Sequence, residues 1–354
     1  MRRMRRAAFL IGLCVCCLTV GLGPPARAGS LTEGYAYRYV SLDDAKPPGA
    51  TFVDYFGLNS TRRVYGNAFT CDEFCDPTIV VYRNGTTTVI HKGVGYAVNE
   101  VGVVGGSVVT DLAAFDEQAA LFDGAKVQVI PRRPNEATSR VLKLTDSGIA
   151  LVESLDATTF APTYSLFTRG RSVELALGPD QVGFLDVNNI GVVAGTFFDG
   201  LGGHHRAFRY RPPTSPERLN PLPTEPASYG MAINSQSDVL GYSFVPGGIE
   251  RIGRWHNGSF ITSFVEGTPT VPTISERLLW NEGGLIVITR TSDSRSYIVP
   301  RAGVRLNVAD LTRGLPAWTQ IVDVNNVGDL VGFGGSSFGF AEHAFFLERS
   351  GTPQ

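Results

Sequence analysis

Cysteine is scarce in this chain, and its distribution matters. Of five cysteines in 354 residues, Cys14, Cys16 and Cys17 fall within the first 28, leaving only Cys71 and Cys75 for the rest. That excludes a disulfide-rich scaffold. Cys71 and Cys75 are not in C-x-x-C spacing and have no histidine cluster nearby, so the expectation is one disulfide closing a small surface loop. Histidine is equally sparse: His91, His204, His205, His256 and His343 are scattered, and a zinc site wants three or four convergent ligands. Neither a phosphate-binding P-loop nor a dinucleotide fingerprint occurs. No cofactor and no metal is therefore expected. After residue 28 no apolar run is long enough to span a bilayer.

The first 28 residues read as a removable leader. Arg2, Arg3, Arg5 and Arg6 precede the mostly apolar Ala7 to Leu22, and Ala26-Arg27-Ala28 supplies small residues for cleavage before Gly29. A secreted or periplasmic destination follows, with residues 29–354 as a single domain. Removing the leader takes away five arginines and no acid. The remaining 26 Lys+Arg against 33 Asp+Glu give a formal charge near −7, which argues against nucleic-acid binding.

What the sequence has in abundance is glycine, 41 residues, and much of it recurs in register. Val187-Asn188-Asn189-Ile190-Gly191-Val192-Val193-Ala194-Gly195 returns as Val324-Asn325-Asn326-Val327-Gly328-Asp329-Leu330-Val331-Gly332. Further copies begin at Val98-Asn99 and Ile233-Asn234, and weaker ones at Leu58-Asn59, Leu144-Thr145 and Trp280-Asn281. The second residues, at 59, 99, 145, 188, 234, 281 and 325, serve as anchors. Their intervals are 40, 46, 43, 46, 47 and 44 residues, a period that denotes a solenoid, a propeller or an array.

Each period carries two hairpins. A short apolar strand ends at the anchor, an Asn/Gly turn leads to a second strand, and a variable loop leads to an aromatic third strand. A turn such as Asn84-Gly85 or Asp123-Gly124 then introduces a fourth. Four antiparallel strands repeated seven times predict an all-β, seven-bladed propeller. Asp111 to Leu121 alone suggests a helix. Arg211 to Ser228 and Phe264 to Arg277 read as excursions from the ring, and the sixth copy is the weakest blade. The seventh copy ends near Leu347 without a fourth strand, while Tyr35 to Leu42, which has alternating aromatics, precedes the first blade. The two segments are expected to pair and close the ring.

The pairing of Asn188-Asn189-Ile190-Gly191 with Arg206-Ala207-Phe208, and of Asn325-Asn326-Val327-Gly328 with His343-Ala344-Phe345, resembles the probable extracellular repeats of the HAF family. That resemblance covers roughly residues 53–347. It implies an exported β-repeat protein and brings no catalytic residues with it.

The anchoring asparagines read as turn formers that bond their own backbone. Lys143, Asp186 and Asp323 occupy equivalent positions two residues before their anchors, where a ring brings side chains toward its central channel. They are the candidate site there, and two carboxylates suitably spaced could serve glycoside chemistry. Tyr55, Phe56, Tyr65, Phe69, Trp255, Trp280 and Trp318 are the aromatics from which a binding surface could be built, Trp255 foremost, although blades also need aromatics for packing. The expectation is an exported binding or scaffold module for an extracellular glycan or protein. The alternative is an extracellular carbohydrate-active enzyme with its site at the channel.

Overall fold

The computed structural model describes residues 35–71, 75–111, 116–178, 181–198, 205–244, 250–266, 277–290, 295–336 and 342–350. The leader, residues 1–28, therefore lies outside the described residues, as does most of the loop read at 264–277. Seven four-stranded antiparallel sheets make up the fold, each formed by strands consecutive in the chain except the last. Their first strands are Phe52–Leu58, Val94–Val98, Glu136–Leu144, Gln181–Val187, Ala227–Ile233, Arg277–Trp280 and Trp318–Val324. Each lies against the first strand of the next blade, and Trp318–Val324 lies against Phe52–Leu58, so these seven line the axis of a closed ring.

The expected closure is present. Tyr37–Ser41 pairs antiparallel with the final strand His343–Arg349, in register from Tyr37 opposite Arg349 to Ser41 opposite Phe345, and completes the seventh sheet. Its aromatic alternation explains the fit. Tyr37 is buried and donates its hydroxyl to the Gly328 carbonyl (3.1 Å), while Tyr39 packs on Phe345. The sixth copy is a full blade, so the count is seven. The described part of the segment that suggested a helix is instead strand, with Asp116–Asp123 paired antiparallel to Val104–Asp111, because cross-strand pairing overrides a short local preference. Within the loop read at 211–228, Glu217–Arg218 supplies the fourth strand of blade 4.

The core is not central. Its seven apolar clusters each join two neighbouring blades, for instance Leu42, Val331 and Phe346 of blade 7 with Tyr55, Leu58 and Val64 of blade 1. Burial therefore drives blade-on-blade packing, and the axis is left to polar groups.

The repeat motif fastens this arrangement. Asn188 Oδ1 accepts the N–H groups of Ile190 and Val192, shaping its own turn, while Nδ2 donates to the Asn234 carbonyl of the next blade (2.9 Å). Asn281 Nδ2 reaches Asn325 O in the same way, and Asn325 Nδ2 reaches Asn59 O (3.0 Å), across the point where the ring closes. Three residues after each anchor the backbone is left-handed, at Arg62, Gly102, Gly148, Gly191, Ser237, Gly284 and Gly328, which is why glycine dominates that position.

Candidate functional site

In six of the seven blades the axial strand carries a bulge just before the anchor, as between Tyr55 and Gly57 or between Ile321 and Asp323. Gly66, Gly106, Gly241 and Gly332 pair across from the residue that opens the bulge, where a Cβ on Gly241 would lie 1.7 Å from the Tyr229 carbonyl oxygen. The bulge re-aims the residue two before the anchor, and this is the position of Lys143, Asp186 and Asp323.

Both acids are engaged by the framework. Asp186 Oδ2 accepts the Ile233 N–H and Asp323 Oδ2 accepts the Leu58 N–H, each at 2.9 Å and each from the following blade. Lys143 Nζ stands 3.8 Å from Asp186 Oδ1, and its charge also acts on Asp323. Among the described residues no hydrogen bond or ion pair joins Asp186 to Asp323, which sit three blades apart.

Two further charges share the axis, and the repeat alignment gives no sign of them. Arg277 interacts electrostatically with both Asp323 and Asp54. Burial pushes the Asp323 carboxyl up to about 6, against the downward pull of the Leu58 and Val324 N–H groups and of Lys143 and Arg277. Burial likewise raises Asp54 and lowers Arg277. Desolvation thus outweighs attraction on both sides of this pairing. Arg277 still meets solvent, so it is enclosed by protein on most sides without being sealed.

At the anchor-turn end of the axis lies a cavity of about 140 Å³, lined by Glu100, Asp146, Trp280, Glu282 and Asp323 among others. Its acids also link blades. Glu100 accepts N–H bonds from Ser60 and from Asn326, Asp146 accepts the Glu100 N–H, and Glu282 accepts the Ser235 hydroxyl. Among the described residues no group of three His, Cys, Asp or Glu side chains could hold a metal ion.

A larger cavity, about 520 Å³, opens at the seam between blades 7 and 1. Lys46, Phe52, Asp54, Phe69, Glu342 and His343 contribute to its lining. Phe52 is 46% exposed and stacks on Phe69 with centroids 4.6 Å apart. Asp43, also in the lining, accepts the Ala344 N–H through Oδ1 and bonds His343 Nδ1 through Oδ2 (2.8 Å), which fixes the imidazole and leaves Nε2. Cys71 and Cys75 form the expected disulfide, at the tip of the hairpin that carries Phe69.

The sequence-derived aromatic set fares unevenly. Trp255 must be corrected as a binding residue: it is 0% exposed between blades 4 and 5, and its indole N–H donates to the Asn220 carbonyl (2.7 Å). Tyr55, Tyr65 and Trp318 are also buried, whereas Phe69 and Trp280 are partly accessible. Phe52 and Lys46 were missed because they lie outside the repeat motif. His204 lies outside the described residues.

No protein-family model and no curated protein matches the chain. Solved structures do. The β-propeller domain of the Trilobed protease from Pyrococcus furiosus superposes with TM-score 0.58 at 10% identity, covering 85% of this chain and 97% of that one. That domain is described as having an open velcro topology, whereas here the N-terminal strand pairs with the last. Virginiamycin B lyase from Staphylococcus aureus, in a catalytically inactive form with Quinupristin, gives 0.54 at 11% identity over 88% and 99%. Pyrococcus horikoshii acylaminoacyl peptidase gives 0.56 at 10% identity over 88% and 54%. At these identities the likeness is one of fold.

Proposed function

We propose that this chain is an exported β-propeller that acts as a binding or scaffold module. The observation that carries the reading is a division of labour between the two cavities. Axial carboxylates are committed to blade-to-blade hydrogen bonds, while the seam cavity offers an exposed phenyl face beside polar groups of both signs. Its volume falls within the range usual for small-ligand sites. Export is supported by the leader pattern and the Cys71–Cys75 bridge. Kinship with the HAF repeats belongs to the same proposal, supported by the Asn/Gly anchors and His343-Ala344-Phe345.

Calorimetric titration of the mature chain, residues 29–354, with soluble oligosaccharides and peptides tests it, with ligand recovered afterwards by mass spectrometry. Saturable binding with intact ligand is expected, and consumption of the ligand overturns the reading. One observation favours the enzyme alternative: Asp323, raised to about 6, has the character of a carboxyl that can hold a proton near neutrality. On that reading Asp323→Asn abolishes turnover. On the binding reading it leaves ligand affinity unchanged.

A further inference from the structure

We infer that the seam cavity is a carbohydrate subsite, in which Phe52 stacks on the face of a sugar ring while Lys46, His343 and Asp54 bond its hydroxyls. This inference rests on the binding-module reading and names its ligand class.

Four observations converge on it. The first is the platform: Phe52 stacks on Phe69 and is 46% exposed, so its ring is held from behind and open in front. An apolar ring face of this kind suits the C–H face of a pyranose. The platform is also braced. Thr51 donates its N–H to Phe69 O (2.7 Å), the Thr51 hydroxyl accepts the Cys71 N–H (3.2 Å), and the disulfide closes the hairpin just beyond.

Second, the lining supplies hydrogen-bonding capacity that the fold does not use. Lys46 makes no hydrogen bond or ion pair among the described residues. His343 spends Nδ1 on Asp43, which orients Nε2 without occupying it. Asp54 is exposed.

Third, the signs are mixed. Asp43, Asp54 and Glu342 share the lining with Lys46 and His343. Phosphate or another compact anion would meet three carboxylates, and a simple cation would meet the ammonium. An apolar ligand would strip water from all five polar groups without replacing it. Hydroxyls, each both donor and acceptor, match both kinds of partner at once.

Fourth, two blades and the closing segment assemble the cavity. Lys46 and Asp43 follow the N-terminal strand, Phe52, Asp54 and Phe69 come from blade 1, and Glu342 and His343 introduce the last strand. The site therefore exists only in the closed ring.

The test is titration of the full mature chain with cello-, malto-, xylo- and chito-oligosaccharides, for wild type, Phe52→Ala, Lys46→Ala and Lys143→Ala. Lys46 is exposed, so Lys46→Ala should keep the wild-type melting temperature, while Phe52→Ala gives up the stacking on Phe69 and should lower it by only a few degrees. Saturable binding to one sugar class, with Kd raised at least about tenfold by Phe52→Ala and by Lys46→Ala and unchanged by Lys143→Ala, is the expected result. Sugar binding lost in Lys143→Ala but kept in the other two overturns the seam assignment and leaves the binding module standing. Binding of a peptide and of none of these sugars overturns the carbohydrate class alone. Hydrolysis of a bound sugar overturns the binding-module reading itself.

Discussion

At the scale of single residues, Asn188 shows how one side chain serves two structures. Its carbonyl oxygen shapes the local turn and its amide reaches the neighbouring blade, and the residue is almost fully buried. Asn188→Ala leaves the buried Val192 N–H without its acceptor and removes the tie to the Asn234 carbonyl, and it should lower stability by about 1–3 kcal/mol in denaturant unfolding. The local half of this role was readable in the sequence, since Asn before Gly is turn chemistry. The other half was not, because the partner carbonyl lies 46 residues away across an interface that only the ring creates.

Asp323 makes a second prediction at this scale. Its folded carboxyl titrates near 6, above its ordinary 3.8, so between these values the folded chain holds a proton that the unfolded chain has lost. The contribution to stability is therefore fully present below about pH 4 and is lost as pH rises through about 6. Asp323→Asn keeps an acceptor for the Leu58 N–H and removes the titration. Its stability relative to wild type should rise by about 1–3 kcal/mol between pH 4 and pH 7, toward the lower figure where solvent reaches the group. Equal pH profiles for the two proteins would show that Asp323 titrates normally. The equivalence of Asp186 and Asp323 was legible from the repeat spacing. Their engagement by the next blade's backbone was not, because it depends on a bulge whose only trace in the sequence is a glycine on the partner strand.

At the scale of elements, the hairpin from Val64 to Arg83 carries the disulfide and the rear half of the phenyl platform. A loop this short constrains the unfolded chain little. Cys71→Ser with Cys75→Ser should cost about 2 kcal/mol or less in thermal unfolding and leave far-ultraviolet circular dichroism unchanged. The strands and turns of most blades could be read from the Asn/Gly signals. So could most fourth strands, which follow turns such as Asn84-Gly85 and Asp123-Gly124; the exception is Glu217–Arg218, which has only two residues and carries no period. The false helix at Asp111 to Leu121 has a similar cause, since eleven residues with few turn signals do not reveal a partner strand.

At the scale of the whole molecule, stability comes from seven interfaces, one between each pair of neighbouring blades. Deleting residues 29–42 removes the strand that covers His343–Arg349 and withdraws Tyr37 and Leu42 from two clusters. The truncated chain should elute as dimers or larger species in size-exclusion chromatography, with an unfolding transition broadened relative to the full mature chain. A sharp monomeric transition would show that the ring holds without it. Closure was legible because the seventh copy lacks a fourth strand of its own and the alternating aromatics at Tyr35 to Leu42 belong to no copy. The seam cavity was not, because its lining comes from residues 42–69 and 333–344, which no local pattern brings together.

The pairing of first strand with last also sets an order of events. Tyr37–Ser41 is made early, yet its partner His343–Arg349 emerges from the ribosome only after the six intervening blades. Six blades can be assembled while that leading segment is still without a mate, and whatever machinery handles the nascent protein must keep it from pairing elsewhere. The last strand to appear completes the seventh sheet and, in the same event, creates the pocket beside it.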